Sequence, residues 1–348
     1  MSSGGKMSTR QPQSAPPISA PHISVLLDEV VAALHPQAGD VLIDGTFGAG
    51  GYSAALLRAA ACTVLAIDRD PDTQSHAVRL QAEHGEHLVY LSGCFGDMVA
   101  LAAAVGVQQV DGVTLDLGVS SMQLDEAARG FSFMRDGPLD MRMSQSGDSA
   151  AALLNNADVD LLSDIIAVYG EEKRARAIAK AIVARRAVTP FERTGDLVDV
   201  VCSVLGGPRF GKTHPATRTF QALRIYLNDE LGELLRGLQA AEQILKPGGR
   251  LAIVTFHSLE DRMVKKFLAP RTGRAGRPSR HMPDVKQHSP SFSEPPMRSL
   301  KAKATEIEAN PRARSARLRV AVRTEAPVFP EVVDLMPKRA PQAGGAHG

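Results

Sequence analysis

The strongest constraint on the fold is a short apolar run followed at once by a glycine-rich segment. Val41–Asp44 is apolar and ends in an acid, and four of the next seven residues are glycine. Helix-forming residues follow from Ala54 to Ala61. Because glycine permits positive φ and close approach of the backbone to a ligand, the pattern predicts a strand, a tight loop and a helix start. This layout is typical of sites that hold nucleotide-like cofactors.

A second apolar run, Val64–Ile67, ends at Asp68, where an acid commonly binds the ribose hydroxyls of such a cofactor. Two cofactors fit. A nicotinamide dinucleotide needs its pyrophosphate on the helix N-terminus and favours a third glycine, but Ser53 stands at that position. S-adenosylmethionine carries a sulfonium and an amino group, both positive, and the carboxylate of Asp44 beside the loop suits a cation. The residues favour the methyl donor and leave the dinucleotide open.

Apolar strand-like runs alternate with helical runs over the first part of the chain and again near its end. This alternation predicts right-handed crossovers and a parallel sheet, hence an α/β, Rossmann-like fold. In such sheets the ligand lies beyond the carboxyl ends of the strands. Four predicted strands end at or near Asp44, Asp68, Phe95 and Asp116. We therefore expect these residues to face one crevice.

Between residues 125 and 218 the strand signals give way to helical ones, which predicts an inserted α-helical domain. The α/β domain is then discontinuous and covers 21–124 and 219–325. Residues 1–20 and 326–348 are expected to be a disordered lead and tail. The later elements expected are a helix, a strand, a second helix, a loop and a last strand, at Ala222–Leu245, Arg250–Phe256, His257–Leu268, Pro270–Pro296 and Leu318–Val322.

Composition excludes several classes of protein. No apolar run is long enough to span a membrane, and the first residues lack a hydrophobic signal region, so we expect a cytoplasmic protein without a membrane partner. The three cysteines are far apart and form no C-x-x-C pair, which argues against a disulfide framework or a zinc site and indicates a reducing compartment. We expect no metal. The oligomeric state stays open, with a homodimer as one option.

Residues 206–213, GGPRFGKT, match the P-loop pattern of triphosphate-binding proteins. A P-loop follows a buried strand, whereas this match lies in the predicted helical insertion. Pro208 also lacks the backbone N–H that a phosphate cradle would use. The segment is therefore predicted to be a basic loop and not a triphosphate site.

Basic residues cluster locally, although the net charge is only +2. Lys173, Arg176 and Lys180 share one predicted helical face, and Lys212 and Arg218 follow in the insertion. Such clusters in a near-neutral protein are typical of a surface that binds phosphate. Nucleic acid is therefore the predicted partner.

Two further stretches follow the predicted strands. Residues 116–125 lie beside the expected cofactor crevice, where an acceptor would meet the methyl group. Residues 130–143 mix aromatic, glycine and charged residues, as lid loops do. At the tip of the fifth strand, His257 is expected to line the site; the alternative is a purely structural role for this stretch, with Ser258 capping the helix that follows.

In combination these motifs resemble the bacterial 16S rRNA (cytosine-1402 N4)-methyltransferase family. The resemblance implies S-adenosylmethionine as cofactor and a cytidine in the decoding region of 16S rRNA, in the small ribosomal subunit, as substrate. It also implies that the helical insertion helps to dock the RNA. The resemblance covers roughly residues 22–322 and rests on residues 21–27, 44–53, 116–125, 130–143, 169–174, 214–225 and 256–262.

The resemblance also assigns residues. Together with Gly48 of the glycine-rich loop, the expected cofactor contacts are Gly50, Gly51, Tyr52, Asp68, Phe95, Asp116 and Gln123. Three positions depart from the family pattern: Ser24 and Met122 replace common prolines, and Tyr52 replaces a common histidine. We expect the polar contact of the Tyr52 side chain to differ and its backbone contact to survive.

A mechanism follows as a hypothesis. The exocyclic amine of cytosine is a poor nucleophile, so the protein must align it with the methyl group and accept its proton. Asp116 is the expected acceptor, because carboxylates bind the cytosine N4 donor, and His257 is a weaker catalytic candidate. Asp68 is expected to bind the ribose and Phe95 to pack on the adenine, with the target base out of its stack. The competing functions are an NAD-dependent oxidoreductase and a non-catalytic RNA-binding module.

Overall fold

The computed structural model describes residues 24–211, 213–274, 288–296, 298–330, 335–338 and 340–341. Within these residues one eight-stranded sheet is formed by β1 to β8, which are Val41–Asp44, Thr63–Asp68, Leu88–Ser92, Val110–Asp116, Leu245–Thr255, Phe292–Ser293, Ser299–Lys301 and Arg317–Arg323. The helices α1 to α13 are Leu27–Leu34, Gly51–Ala59, Gln74–His84, Met98–Ala104, Ser121–Asp125, Ala150–Asn156, Val159–Tyr169, Ala175–Arg186, Thr194–Leu205, Thr217–Leu227, Glu230–Ile244, Ser258–Arg271 and Ala304–Ala309.

The strand order is β3-β2-β1-β4-β5-β8-β6, and β7 also pairs with β8. Strands β1 to β5 all run parallel to one another, whereas β8 runs antiparallel to β5. Successive residues of β1 belong to two different buried clusters: Leu42 packs in one and Ile43 in the other. Both faces of the sheet are therefore covered, as in parallel α/β sheets. The predicted Rossmann-like α/β fold is confirmed.

The helices α6 to α9 lie between β4 and β5 in the chain and outside the sheet. Polar side chains fix two of their starts, because Ser149 accepts a hydrogen bond from the N–H of Ala152 and Asp158 accepts one from Leu161. The apolar face of α7 joins the same buried cluster as Leu115 of β4. The helical region thus shares its core with one face of the sheet.

The single helix predicted over Ala222–Leu245 is wrong. The chain forms α10 and α11 instead, and they are separated at Asn228 and Asp229. Asp229 has a φ of 46°, which interrupts the right-handed helix. The Asn228 side chain donates to the carbonyl of Met141 and accepts from the N–H of Met143. The break therefore anchors a distant loop, which helical periodicity alone does not reveal.

The expected loop and tail are also more ordered than predicted in the described residues. Helix α12 continues through Pro270 to Arg271, and the short strand β6 lies within the predicted loop. In the predicted disordered tail, the N–H of Phe329 donates to Glu242, and the hydroxyl of Tyr169 donates to the carbonyl of Pro341. These contacts come from residues far apart in the sequence. The predicted disordered lead lies outside the described residues.

Membrane insertion through a helix finds no support in the described part of the chain. None of its helices combines the length and the apolar character that crossing a bilayer requires.

Candidate active site

A pocket lies at the carboxyl ends of β1, β2 and β4, where the strand pattern predicted the crevice. The glycine-rich loop, the start of α5 and the start of α11 close its sides. It brings together most of the predicted cofactor residues: Gly48, Gly51, Tyr52, Asp68, Phe95, Asp116 and Gln123 all line it. Ser24 and Met122, two of the positions that depart from the family pattern, line it as well.

Two glycines give the loop its shape. Gly48 has a φ of 54° and its N–H donates to Oδ2 of Asp68 at 2.7 Å, which links the tips of β1 and β2. Gly50 has a φ of 82° and precedes α2, but it does not line the pocket. A Cβ at Gly50 would lie 2.9 Å from the ring of Phe47. Gly50 therefore shapes the backbone and is not placed as a direct contact.

The segment before α1 closes one side of the pocket. A Cβ at Gly51 would lie 1.9 Å from Oγ of Ser24 and 3.2 Å from its Cβ, so a larger residue here would displace the Ser24 side chain. The buried hydroxyl of Tyr52 donates to the carbonyl of Val25. Tyr52 thus holds this segment against the glycine-rich loop.

Asp44 is buried behind the glycine-rich loop. Its Oδ2 accepts hydrogen bonds from Oγ and N–H of Ser53 at 2.7 and 3.2 Å. Burial raises its pKa to about 6 despite these bonds, and the nearby charge of Asp68 adds to the effect. Asp44 therefore carries a costly negative charge at neutral pH.

Asp116 is the least compensated acid of the pocket. Its Oδ1 atom is buried and accepts no hydrogen bond from any described residue. Burial raises its pKa well above the ordinary value, the charges of Asp44 and Glu260 raise it further, and the nearby Tyr52 hydroxyl lowers it in part. A ligand that brings a positive charge to this atom would offset its buried negative charge, and one that brings an N–H donor would supply the missing hydrogen bond.

Most other carboxylates around the pocket already have partners. Glu230 is bound by Nε and Nη2 of Arg224 at 2.7 and 2.9 Å, and Glu233 pairs with Arg236 at 2.9 Å. The remaining attraction for a cation therefore lies at Asp116 and at Asp68, which accepts hydrogen bonds from two backbone N–H groups and forms no ion pair with any described residue. This charge pattern suits the sulfonium and amino groups of a methyl donor and does not suit a pyrophosphate.

Gln123 lines the pocket with its amide already engaged. Its Oε1 accepts from the N–H of Ser120 at 3.0 Å, and its Nε2 donates to Asp70 at 2.6 Å. Asp70 pairs in turn with Arg129 at 2.9 Å, and Arg129 also donates to the carbonyl of Met143. This network ties residues 130–143 to the tip of β2. The sequence did not reveal this network, because Asp70 is more than fifty residues away from both Gln123 and Arg129.

Phe95 occupies a space that two glycines leave free. A Cβ at Gly237 of α11 would lie 2.4 Å from the Phe95 ring, and one at Gly45 would lie 3.0 Å from the Phe95 Cβ. The ring is thus fixed between β1 and α11 while one side faces the pocket. This position suits stacking on an adenine.

His257 was expected to line the site, but it does not line the pocket. Its Nδ1 accepts from the N–H of Glu260, and Glu260 Oε2 accepts from the N–H of Phe256 at 2.7 Å. His257 therefore caps α12 itself, and the predicted capping by Ser258 is wrong. The Ser258 hydroxyl instead donates to Glu171 at 2.5 Å. The histidine is occupied with local structure.

Ligand atoms of Glu230, His257 and Glu260 lie within 4.8 Å of one another, a spacing that could hold a metal ion. Both oxygens of Glu230, however, are bound by the Arg224 guanidinium. For Glu260, burial pushes the pKa up, but the nearby His257 and Arg224 outweigh it and hold the pKa below its usual range. The cluster is therefore already balanced by an arginine, which disfavours a divalent cation.

Four of the five predicted RNA-binding residues lie within the described part of the chain, and all four are exposed. Lys173, Arg176 and Lys180 are exposed, and Arg176 pairs with exposed Asp160. Arg218 is exposed and donates to the carbonyl of Glu171. Lys212 lies outside the described residues. The segment that matches the P-loop pattern follows helix α9 and not a strand, so it lacks the strand that precedes a P-loop; that it binds no triphosphate stays a prediction.

A family model described as the MraW methylase family matches residues 19–324. The chain belongs to the MraW methylase family. It is 56% identical over 312 residues to a protein of Parvibaculum lavamentivorans named ribosomal RNA small subunit methyltransferase H, which covers 90% of this chain and 92% of that relative. A protein of Hyphomonas neptunium with the same name is 55% identical over 311 residues, covering 89% and 91%.

The solved structure of a putative rRNA methylase of Clostridium thermocellum has a TM-score of 0.40 and 12% identity, covering 87% of this chain and 99% of that one, which is too weak a likeness to support an argument. Membership of the MraW methylase family confirms the predicted enzyme class, a methyltransferase, and its cofactor, S-adenosylmethionine. It does not support the dinucleotide-dependent oxidoreductase or the non-catalytic module.

Proposed function

We propose that this MraW-family methyltransferase methylates the N4 amine of cytidine 1402 in 16S rRNA, within the small ribosomal subunit and therefore in the cytoplasm. Membership of the MraW methylase family and the names of the relatives support the substrate class. The resemblance of the sequence motifs supports the specific nucleotide. The observation that carries the chemistry is the buried Oδ1 of Asp116, which has no partner among the described residues and lies at the pocket.

The residues of the pocket fit the cofactor. When bound, S-adenosylmethionine supplies an electrophilic methyl group on a positively charged sulfur. Asp68 stands at the tip of β2, where its carboxylate can bind ribose hydroxyls, and Phe95 offers a ring face for the adenine. Asp116 supplies the negative charge that a cation needs in a site shielded from water.

Asp116 also has the chemistry to act on the acceptor. A carboxylate oxygen accepts a hydrogen bond from the cytosine N4 donor, which orients the amine. Transfer of the methyl group would break its bond to sulfur, with the electron pair left on the sulfur, and the nitrogen that gains the methyl group would lose one proton, which Oδ1 of Asp116 can take. Alignment of the two reactants in such a site is worth about 7–11 kcal/mol. The target base must leave its stack to reach the pocket.

The test is methyl transfer to small ribosomal subunits from a strain that lacks this enzyme. With S-adenosylmethionine carrying a labelled methyl group, we expect N4-methylcytidine at position 1402, identified by digestion and mass spectrometry. Labelling of another nucleotide, or of another atom of the same cytidine, would refute the assignment. Comparing naked 16S rRNA with assembled subunits in the same assay shows which of the two the enzyme accepts.

A further inference from the structure

The loop that resembles a P-loop presents an aromatic side chain to solvent. Phe210 is fully exposed, and Arg209 beside it is exposed and makes no ion pair with any described residue. Cβ atoms built at Gly206, Gly207 and Gly211 meet nothing within 4 Å, so open space surrounds the loop. A large ring in this position costs solubility and gains nothing in packing, which suggests a role in contact with a partner.

A second loop presents similar side chains next to it. The ring of His214, at the base of the Phe210 loop, packs on Phe133 with centroids 4.6 Å apart, and Phe133 packs in turn on Phe220 at 4.9 Å. Met134, the next residue after Phe133, is 82% exposed. The two loops therefore meet at a fixed aromatic base and both carry an exposed apolar side chain.

This surface is continuous with the mouth of the active-site pocket. Arg135, which follows Met134, donates to the carbonyl of Asp125 in α5. The Asp125 carboxylate pairs with Arg312 at 2.8 Å, and Arg312 lines the pocket. A polymer whose target residue enters the pocket would have its neighbouring residues directed along this path.

The charge of the surface is positive. Of the three nearby acids, Asp125 pairs with Arg312 and Asp136 pairs with Arg193, while Glu126 is exposed and forms no ion pair with any described residue. Arg135 and Arg209 are exposed and form no ion pair with any described carboxylate. An exposed aromatic ring together with arginines that form no ion pair complements a nucleic-acid strand, whose bases stack on rings and whose phosphates attract arginine.

We propose that Met134, Arg135, Arg209 and Phe210, named here the Phe210 surface, bind the RNA strand that flanks the target nucleotide, with one unpaired base stacked on Phe210. The inference rests on the proposed function. It adds a second binding surface, outside the pocket, for the RNA substrate. The aromatic base at Phe133 and His214 holds the two loops together, and the glycines let the tip of the Phe210 loop adjust to the strand.

The first test measures methyl transfer to small subunits by Phe210→Ala. We expect KM for the subunits to rise roughly 5- to 150-fold, the range that loss of one base–aromatic stack produces, with kcat and cofactor affinity unchanged. Phe210→Tyr, which keeps the ring, should restore KM. Val105→Ala is the control, because Val105 is an exposed apolar residue at the far end of α4. An unchanged KM in Phe210→Ala would overturn the inference.

The second test identifies what Phe210 touches. A variant with p-benzoylphenylalanine at position 210 is irradiated while bound to small subunits. Adducts to 16S rRNA close to the methylated cytidine support the proposal, whereas adducts only to a ribosomal protein, or none, contradict it. If the unaltered enzyme fails to methylate subunits at all, the proposed function fails. If it methylates them and the Phe210 variants behave normally, only the present inference fails.

Discussion

Asp116, which lines the pocket, and Asp44, which is buried behind the glycine-rich loop, form no ion pair with any residue that the structure describes. Asp44 is completely buried, and the Oδ1 atom of Asp116 is shielded from solvent. Uncompensated buried charge destabilises a folded protein, so its presence at a binding site indicates a function that repays the cost. A cationic methyl donor is such a function, because it adds the missing positive charge when it binds.

Binding of the donor should release a proton. Because the pKa of Asp116 is raised, its carboxyl is partly protonated in the free enzyme at a pH where an ordinary aspartate is ionised. A bound cation lowers that pKa, so affinity for S-adenosylmethionine should increase as the pH rises through the raised pKa. Titration calorimetry in two buffers of different ionisation enthalpy should detect proton release. Asp116→Asn should release fewer protons; the same release in both proteins would contradict this account.

Asp44 should affect stability with a defined dependence on pH. Its folded-state pKa of about 6 exceeds the ordinary value of 3.8, so the folded protein holds more protons than the unfolded chain between these values. The contribution of this group therefore becomes less favourable as the pH rises through that window, by up to about 3 kcal/mol above it. Relative to the unaltered protein, Asp44→Asn should gain unfolding free energy from pH 4 to pH 7 in urea denaturation.

The control for that experiment is Asp97→Asn, which removes an exposed carboxylate. Its stability relative to the unaltered protein should change little over the same pH range. A pH-independent effect of Asp44→Asn would show that burial of this charge is not what costs stability.

At the scale of elements, α11 sets the position of the Phe95 ring. Gly237 is buried in this helix, and the ring lies where a side chain at this position would be. An alanine in a helix is favoured over glycine by about 1 kcal/mol, so a glycine retained here indicates a requirement for space. The space is needed for the Phe95 ring, which lines the pocket, and not for the packing of the helix itself.

Gly237→Ala should therefore weaken cofactor binding while leaving the fold intact. The added methyl group must displace the Phe95 ring, and we expect the dissociation constant for S-adenosylmethionine to rise about tenfold or more, measured by calorimetry. Gly207→Ala adds the same group into open space and should leave cofactor affinity unchanged. Equal affinities in the two variants would contradict the role given to Phe95.

The elements differ in how far the sequence reveals them. Strands β1 to β4 and the acids at their ends follow from local apolar runs, so the pocket could be placed in advance. The break at Asn228 could not, since its reason is a contact with Met141 and Met143. The position of Arg312 at the pocket could not be predicted either, because its partner Asp125 is 187 residues away in the sequence. The role of His257 was misjudged because proximity to a strand tip does not give the direction of a side chain.

At the scale of the whole molecule, opposite charges are kept apart. The net charge is only +2, yet the pocket is acidic, while exposed Lys173 and Lys180 make no ion pair with any described residue. Arg176 between them pairs with Asp160, but both partners are more than half exposed, so the pair is weak. This separation lets one protein bind a cationic cofactor and a polyanionic substrate.

Reversal of the two lysine charges should weaken RNA binding and its dependence on salt. In Lys173→Glu with Lys180→Glu, the slope of log affinity against log salt for 16S rRNA should become less steep by about 1.4 to 2, as expected when two phosphate contacts are lost. Arg58→Glu, at the end of α2 remote from the glycine-rich loop, is the matched control. A slope equal to that of the control would place the RNA elsewhere on the molecule.

The most direct test of the account is a crystal structure of the enzyme soaked with S-adenosylmethionine. We expect the donor in the pocket at the carboxyl ends of β1, β2 and β4, with its ribose at Asp68, its adenine on Phe95 and its methyl group directed towards Asp116. An empty pocket, a donor bound elsewhere, or a nicotinamide dinucleotide binding there in its place would contradict the account.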